Sequence, residues 1–213
     1  MEKMRDFFTA RVQEYDEHML NHVKGCREAY IKMAELVPKT CQTLLDLGCG
    51  TGLELDRIFQ VLPDVHVTGI DLTQAMLNRL KEKYPERKIQ LICGDYFTVP
   101  LGDKQFDCAI SFQTMHHFSH QSKLALYQKI FHAVKTNGIY IECDYMVEQQ
   151  EEEDFYAAQY ERLQKKEKLP SHEFFHFDIP CTIQNQIKLL RAAGFSHVEQ
   201  TFRIQNTTIL LCR

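Results

Sequence analysis

Three groups of residues in this 213-residue chain are of types, and at spacings, that do chemistry. The first is the run TLLDLGCGTGLELDRIF, Thr43 to Phe59, in which Gly48, Gly50 and Gly52 alternate behind a short apolar run and a carboxylate, Asp46. A strand that turns through glycines into a helix offers a ligand open space and backbone N–H groups, because no Cβ blocks approach and positive φ is accessible. No Gly-Lys-Ser/Thr follows, which excludes a phosphate-binding P-loop. The dinucleotide fingerprint GxGxxG fits in part, since Leu53 stands where its third glycine belongs. The second group is Asp71, at the end of the next apolar run and roughly 20 residues past the loop, where nucleoside binders place the carboxylate for a ribose diol. The third is QTMHHFSH, with imidazoles at His116, His117 and His120. His116 and His120 would share a face on a helix and suit a metal, but no carboxylate pair neighbours them in sequence, so no metal site is expected. His116 or His117 is instead the candidate general base for an acceptor O–H or N–H.

These groups need elements to position them. From Thr43 onward extended and helical patterns alternate: TLLDL, VHVTGID, IQLIC, FDCAISF and GIYIECDY read as strands. Between them lie helical faces such as Leu55, Ile58, Phe59 and Leu62, closed by Pro63, and Met76, Leu77, Leu80 and Tyr84, with Thr73 placed as cap. Tyr127, Ile130, Phe131 and Val134 form a further face, with Asn137-Gly138 as its exit. This alternation predicts a parallel, doubly wound sheet. Thr182 opens a last helix ended by Gly194. HVEQTFR and NTTILLC, joined at Gln205-Asn206, then read as a hairpin, which makes the last strand antiparallel. The histidines follow FDCAISF, at the carboxyl end of a parallel strand, where open α/β sheets bind ligands. Asp144 and Tyr145 are expected to face the same cleft.

Composition narrows the classes. A formal charge of −4 carries no electrostatic footprint for nucleic acid. The eight cysteines form no CxxC and several sit in apolar runs, which points to buried thiols in a reducing compartment. The N-terminus alternates charged and aromatic residues, unlike a signal peptide, and no run reaches spanning length. A cytoplasmic protein is expected, with no membrane partner.

LLDLGCGTG, VTGIDLTQAML, CGDYFTVP and FDCAISFQTMHH stand in one order, and together they resemble the class I S-adenosylmethionine-dependent methyltransferases of the small-molecule type. The resemblance runs from about Ala10 to the C-terminus and includes LLRAAGF and the hairpin. It implies an α/β fold, doubly wound, with a mostly parallel seven-stranded sheet whose last strand is antiparallel, N-terminal helices, and a helical insertion before the last helix. The chain then reads as one domain: a lid at 1–40 with two helices, a cofactor-binding core at 43–145, an insertion at 146–181, and a helix and hairpin at 182–213. The implied cofactor is S-adenosylmethionine, with an ammonium in place of a pyrophosphate. Asp46 would orient that ammonium, Gly48, Cys49 and Gly50 would give backbone contacts, and Asp71 would take both ribose hydroxyls. Leu72 and Met76 would pack on the adenine, Asp95 would accept from its amino group, and the Tyr96 backbone would read a ring nitrogen. In RVQEYDEHM, Tyr15 would be a lid residue at the methionine end, with Arg11 a partner for its carboxylate. Phe155, Tyr156, Tyr160 and HEFFHF would roof the acceptor pocket. The implied partner is a small-molecule methyl acceptor; DNA is not expected, RNA stays open, and the chain would be a monomer or homodimer. The layout is also similar to the carboxy-S-adenosylmethionine synthases of tRNA wobble modification. A nicotinamide-linked oxidoreductase is disfavoured by Leu53 and the hairpin. A binding role without catalysis is the non-enzyme alternative.

Overall fold

The computed structural model describes residues 1–170 and 173–213. Its frame is one sheet of seven strands: β1 (Thr43–Leu47), β2 (His66–Asp71), β3 (Ile89–Cys93), β4 (Phe106–Phe112), β5 (Val134–Tyr145), β6 (Val198–Ile204) and β7 (Thr207–Cys212). The order is β3-β2-β1-β4-β5-β7-β6. β1 to β5 pair in parallel, and β7 runs antiparallel to both β5 and β6. The chain steps outward from β1 to β3, then returns to β4 on the other side of β1. That reversal leaves a crevice at the carboxyl ends of β1 and β4, where both chemical runs of the sequence emerge.

Helices cover both faces: α1 (Met4–Arg11), α2 (Tyr15–Asn21), α3 (Cys26–Leu36), α4 (Leu53–Val61), α5 (Gln74–Lys83), α6 (His120–Ala133), α7 (Gln150–Glu167) and α8 (Ile183–Ala193). Successive strand residues alternate faces, so Leu44 joins the core under α3 and α4 while Leu45 and Leu47 join the one under α6 and α8. Strands buried on both sides explain why TLLDL and FDCAISF read as nearly continuous apolar runs. Thr182 caps α8 as expected, its Oγ1 accepting the Asn185 N–H at 3.2 Å, and Gly194 ends it at φ +124°.

Three local expectations change. The N-terminal residues form three helices instead of two, because Gly25 at φ +84° breaks the chain where a Cβ would lie 2.8 Å from that of Ile204. Thr73 occupies the N-cap of α5 but its side chain accepts nothing there. The Asp71 carboxylate takes the Thr73 N–H instead, at 2.8 Å. Asn137-Gly138 does not close a helix, since α6 ends at Ala133 and the chain passes straight into β5. The pair lies inside that strand, where its register with β4 shifts between Phe106 and Cys108. Among the described residues, no helix is long and apolar enough to cross a membrane.

Candidate active site

The glycine loop is folded onto the end of β2 by its own backbone. Gly48 and Cys49 donate to the Ile70 carbonyl at 2.8 and 3.2 Å, and Gly50 donates to Asp71 Oδ2 at 2.9 Å. Gly48 has φ +71°, and a Cβ there would meet Thr114 Oγ1 at 2.8 Å, so the turn demands glycine. With Gly50 on one oxygen and Thr73 on the other, Asp71 is locked in orientation and keeps a lone pair on each oxygen. Burial raises its pKa, against the lowering effect of these N–H donors.

The pocket beneath the loop spans about 590 Å³, part of it open to solvent, and is lined by Tyr15, Gly48, Gly50, Asp71, Leu72, Met76, Asp95 and Tyr96 from the expected set. Asp95 Oδ1 accepts the Phe97 N–H at 2.8 Å, and the Tyr96 hydroxyl is 2.9 Å from Thr114 Oγ1. Two expected residues are not part of the wall. Cys49 is turned under the loop against Gly69 of β2, where a Cβ would lie 2.9 Å from its Sγ. Asp46 is 1% exposed and faces Glu54 of α4, itself buried. Neither Asp46 oxygen nor Glu54 Oε1 has a hydrogen-bond partner among the described residues. Burial raises both carboxyls, Asp46 well above its ordinary value and Glu54 to about 7, and one proton shared between them relieves the repulsion. Glu54 escaped the sequence reading because it looks like the polar side of an amphipathic helix. Its signal was a carboxylate between Leu53 and Leu55, which are both buried.

A cover closes over this pocket. Met4 donates to the Phe174 carbonyl at 2.9 Å and His176 to the Glu2 carbonyl at 3.0 Å, while Phe7 stacks on His176 with centroids 3.5 Å apart. Met4, Phe8 and Phe174 thereby reach the pocket wall. Of the aromatic residues expected to form a roof, Phe155 is 57% exposed. Tyr156 meets the Tyr145 hydroxyl at 3.3 Å, and Tyr160 lies against Phe177. His172 lies outside the described residues. Arg11 is held by Glu2 and lines the neighbouring cavity instead of the pocket.

That cavity is larger, about 1580 Å³ with the space open to solvent included, and shares Phe8, Tyr15 and Gln113 with the pocket. Gln113 has φ +51°, a left-handed conformation that a non-glycine residue adopts at a cost. Sequence reasoning assigned it nothing; strain is invisible in a residue string. The opposite wall holds His116 and His117, on a 3-10 turn at Met115–His117. His116 Nδ1 is 2.6 Å from Asp144 Oδ1, which also accepts the Tyr145 N–H at 2.9 Å. Burial lowers the His116 pKa, but the Asp144 carboxylate outweighs it and the value is raised. His117 is driven well below the ordinary range by burial and by its neighbours His116 and His176. His120 does not share a helix face with His116. It opens α6 and pairs with Glu153 Oε1 at 2.7 Å, tying α7 to the core. Cys181, beside that pair, lies 3.2 Å from the Lys123 ammonium, whose positive charge opposes a metal ion at this trio.

Residues 44–138 match the model of a methyltransferase domain. Residues 44–138, from β1 into β5, therefore form a methyltransferase domain. The chain is 33% identical over 106 residues to the biotin biosynthesis bifunctional protein BioHC of Teredinibacter turnerae, covering 46% of this chain and 18% of that protein. The carboxy-S-adenosyl-L-methionine synthase of Campylobacter concisus is 27% identical over 189 residues, 82% of this chain and 77% of the relative. Among solved structures, the DhpI–SAH complex superimposes with a TM-score of 0.72 at 16% identity, over 98% of this chain and 93% of that one. At that identity the superposition shows the fold. The methyltransferase core thus follows from the family model and the architecture together, and S-adenosylmethionine is the cofactor that such domains use.

Proposed function

We propose that this methyltransferase acts on a small molecule bearing an ionisable O–H or N–H, held in the histidine-lined cavity. The observation that carries the reading is the confluence of the two pockets at Phe8, Tyr15 and Gln113. Methyl transfer is an in-line displacement, so donor and nucleophile must meet through one opening from which water is excluded. The bound cofactor supplies an electrophilic methyl group on a sulfonium.

The residues suit the two ends of that cofactor. Asp71, fixed by two N–H donors, offers its free lone pairs to the ribose hydroxyls, and Leu72 and Met76 supply apolar surface for the adenine. Asp95 and the Tyr96 backbone stand at that end of the pocket. Asp46 and Glu54 are buried carboxylates that, among the described residues, have only their shared proton to satisfy both Asp46 oxygens and Glu54 Oε1, a costly arrangement that an ammonium would relieve. Gly48 and Gly50 give space, Cys49 only the shape of the loop, and Tyr15 the doorway. Across the cavity His116, oriented by Asp144, and His117 form the wall that activates the acceptor.

Added S-adenosylhomocysteine should stabilise the chain by RT ln(1 + [L]/Kd), about 2.7 kcal/mol at a hundredfold excess over Kd. A shift with a nicotinamide nucleotide and none with S-adenosylhomocysteine would overturn the assignment of the pocket. An acceptor screen then tests the cavity: undiminished turnover in the His116→Ala/His117→Ala chain would remove the histidine wall from the chemistry. The extended alignment with carboxy-S-adenosylmethionine synthases favours a second reading, in which the cofactor itself is altered. An added carboxylate would call for a cation at the doorway, and Phe8, Tyr15 and Gln113 supply none, so methyl transfer is the better supported. Mass spectrometry of the copurified ligand separates the two.

A further inference from the structure

We propose that His116, His117 and Asp178 bind a divalent first-row metal ion on the wall of the acceptor cavity. One ligand atom from each lies within 4.8 Å of the other two. Asp178 Oδ1 is 3.5 Å from His116 Nε2 and 3.4 Å from His117 Nδ1. Two ligands about 2.1 Å from a tetrahedral ion stand roughly 3.4 Å apart. Nitrogen–oxygen hydrogen bonds would bring the same atoms to about 2.9 Å. Both distances from Asp178 therefore match a coordination shell, and the two imidazoles lie near enough to complete it.

A second observation points to a cation. Asp178 Oδ1 is buried and accepts no hydrogen bond among the described residues, although the side chain as a whole opens onto the cavity. A buried carboxylate oxygen aimed at two imidazole nitrogens, and bonded to neither, is satisfied by an ion between them. His116 is prepared for that role from behind, because Asp144 holds its Nδ1 at 2.6 Å and leaves Nε2 facing Asp178. A carboxylate on the far nitrogen fixes the tautomer of a ligating histidine and strengthens it as a donor. Ile179 donates to the His116 carbonyl at 2.7 Å, fastening the Asp178 segment to the histidine turn before any ion arrives. The Phe177 carbonyl, 3.2 Å from His117 Nδ1, adds an oxygen beside the shell. Without a cation, the His117 Nδ1 proton sits between this carbonyl and Asp178. Binding displaces that proton, and the ring takes the tautomer protonated at Nε2.

Two imidazoles and one carboxylate with positions left open is a donor set for Zn²⁺ and related ions that act on a substrate. The inference rests on the proposed acceptor cavity only for its role: an acceptor oxygen on the ion ionises more readily, and His116 then activates the acceptor through the ion.

The test uses the full chain stripped with chelator, titrated with ZnSO₄ by calorimetry and with Co²⁺ by visible absorption. The expected result is one equivalent of Zn²⁺. Its affinity should fall at least thirtyfold in Asp178→Asn and in His117→Gln, and about tenfold in Asp144→Asn. It should be unchanged in His18→Gln/His22→Gln, which removes the other imidazole pair on the cavity wall, with rings 5.8 Å apart. No binding, binding undiminished in Asp178→Asn, or binding lost only with the His18/His22 pair overturns the proposal. S-adenosylhomocysteine binding, measured on the same samples, reports folding of each variant. A parent chain that binds S-adenosylhomocysteine but takes up no zinc would sink the metal site and leave the methyltransferase reading intact.

Discussion

The proposed cofactor pocket and the proposed acceptor cavity touch at three residues, yet they are made in opposite ways. The pocket takes its floor from one stretch, Gly48 to Tyr96, and owes it mostly to backbone: turns, strand ends and a carboxylate pinned by two N–H groups; Met4, Phe8, Tyr15, the end of β4 and Phe174 only close it over. The cavity is assembled from α1 and α2, the β4 turn, Tyr145, the segment around His176 and the β6–β7 turn, and it recognises through side chains. Their electrostatics differ as well. Unpaired carboxylates, Asp46 and Glu54, lie behind the pocket, whereas imidazoles face the cavity. A site made of local backbone can take one ligand class and keep it. A site made of distant side chains can be retuned without disturbing the sheet.

The sharpest break in this comparison should come from Asp71→Ala. The change removes the acceptor for the Gly50 and Thr73 N–H groups together with the proposed ribose anchor. S-adenosylhomocysteine affinity should fall by about 100-fold or more, and stability by roughly 1–3 kcal/mol for the stranded donors. Zinc titration of the same variant should be unaltered. Loss of both ligands together would mean that the two sites are not separable.

The same contrast explains what could be read in advance. The parallel sheet, the antiparallel last strand and the gathering of Gly48, Gly50, Asp71, Leu72, Met76, Asp95 and Tyr96 around one pocket were legible, because strand period, glycine spacing and caps are local signals. Asp178, Gln113 and Phe8 were not, since each acts only through residues far away in the chain. Glu54 was hidden by the reverse problem, a local pattern that looked like an ordinary amphipathic helix. Asn137-Gly138 misled because a turn-forming pair can also sit at an irregularity within a strand.

A smaller effect should appear with pH. Asp46 and Glu54 have folded values above their unfolded ones, so the folded state holds more protons and stability falls as pH rises. For Glu54 the window runs from its ordinary 4.5 to about 7. Below it the proton neutralises the pair and the penalty is absent; above it the penalty is complete. An ammonium in the pocket replaces that proton, so S-adenosylhomocysteine should bind about tenfold more tightly at pH 8 than at pH 6. Calorimetry at the two values checks this, and Glu54→Gln should flatten the dependence while stabilising the ligand-free chain at pH 8. A pH-independent affinity in the parent chain would remove the ammonium from this end of the pocket.

The smallest effect belongs to the residue that both regions share. Gln113→Gly relieves a backbone held at φ +51°, which should return about 1 kcal/mol. It gives up only two long contacts, from Nε2 to Cys26 Sγ at 3.7 Å and to Thr207 Oγ1 at 3.5 Å. Thermal unfolding should therefore be unchanged or slightly raised, and S-adenosylhomocysteine affinity should shift by less than threefold. Methyl transfer, once an acceptor is in hand, should nonetheless fall by about tenfold, because the amide at the doorway no longer orients what passes through it. A destabilised variant with normal turnover would make the strained turn a structural joint. A stable one with reduced turnover shows that strain kept at Gln113 serves the meeting of the two sites, as expected where stability and activity oppose each other.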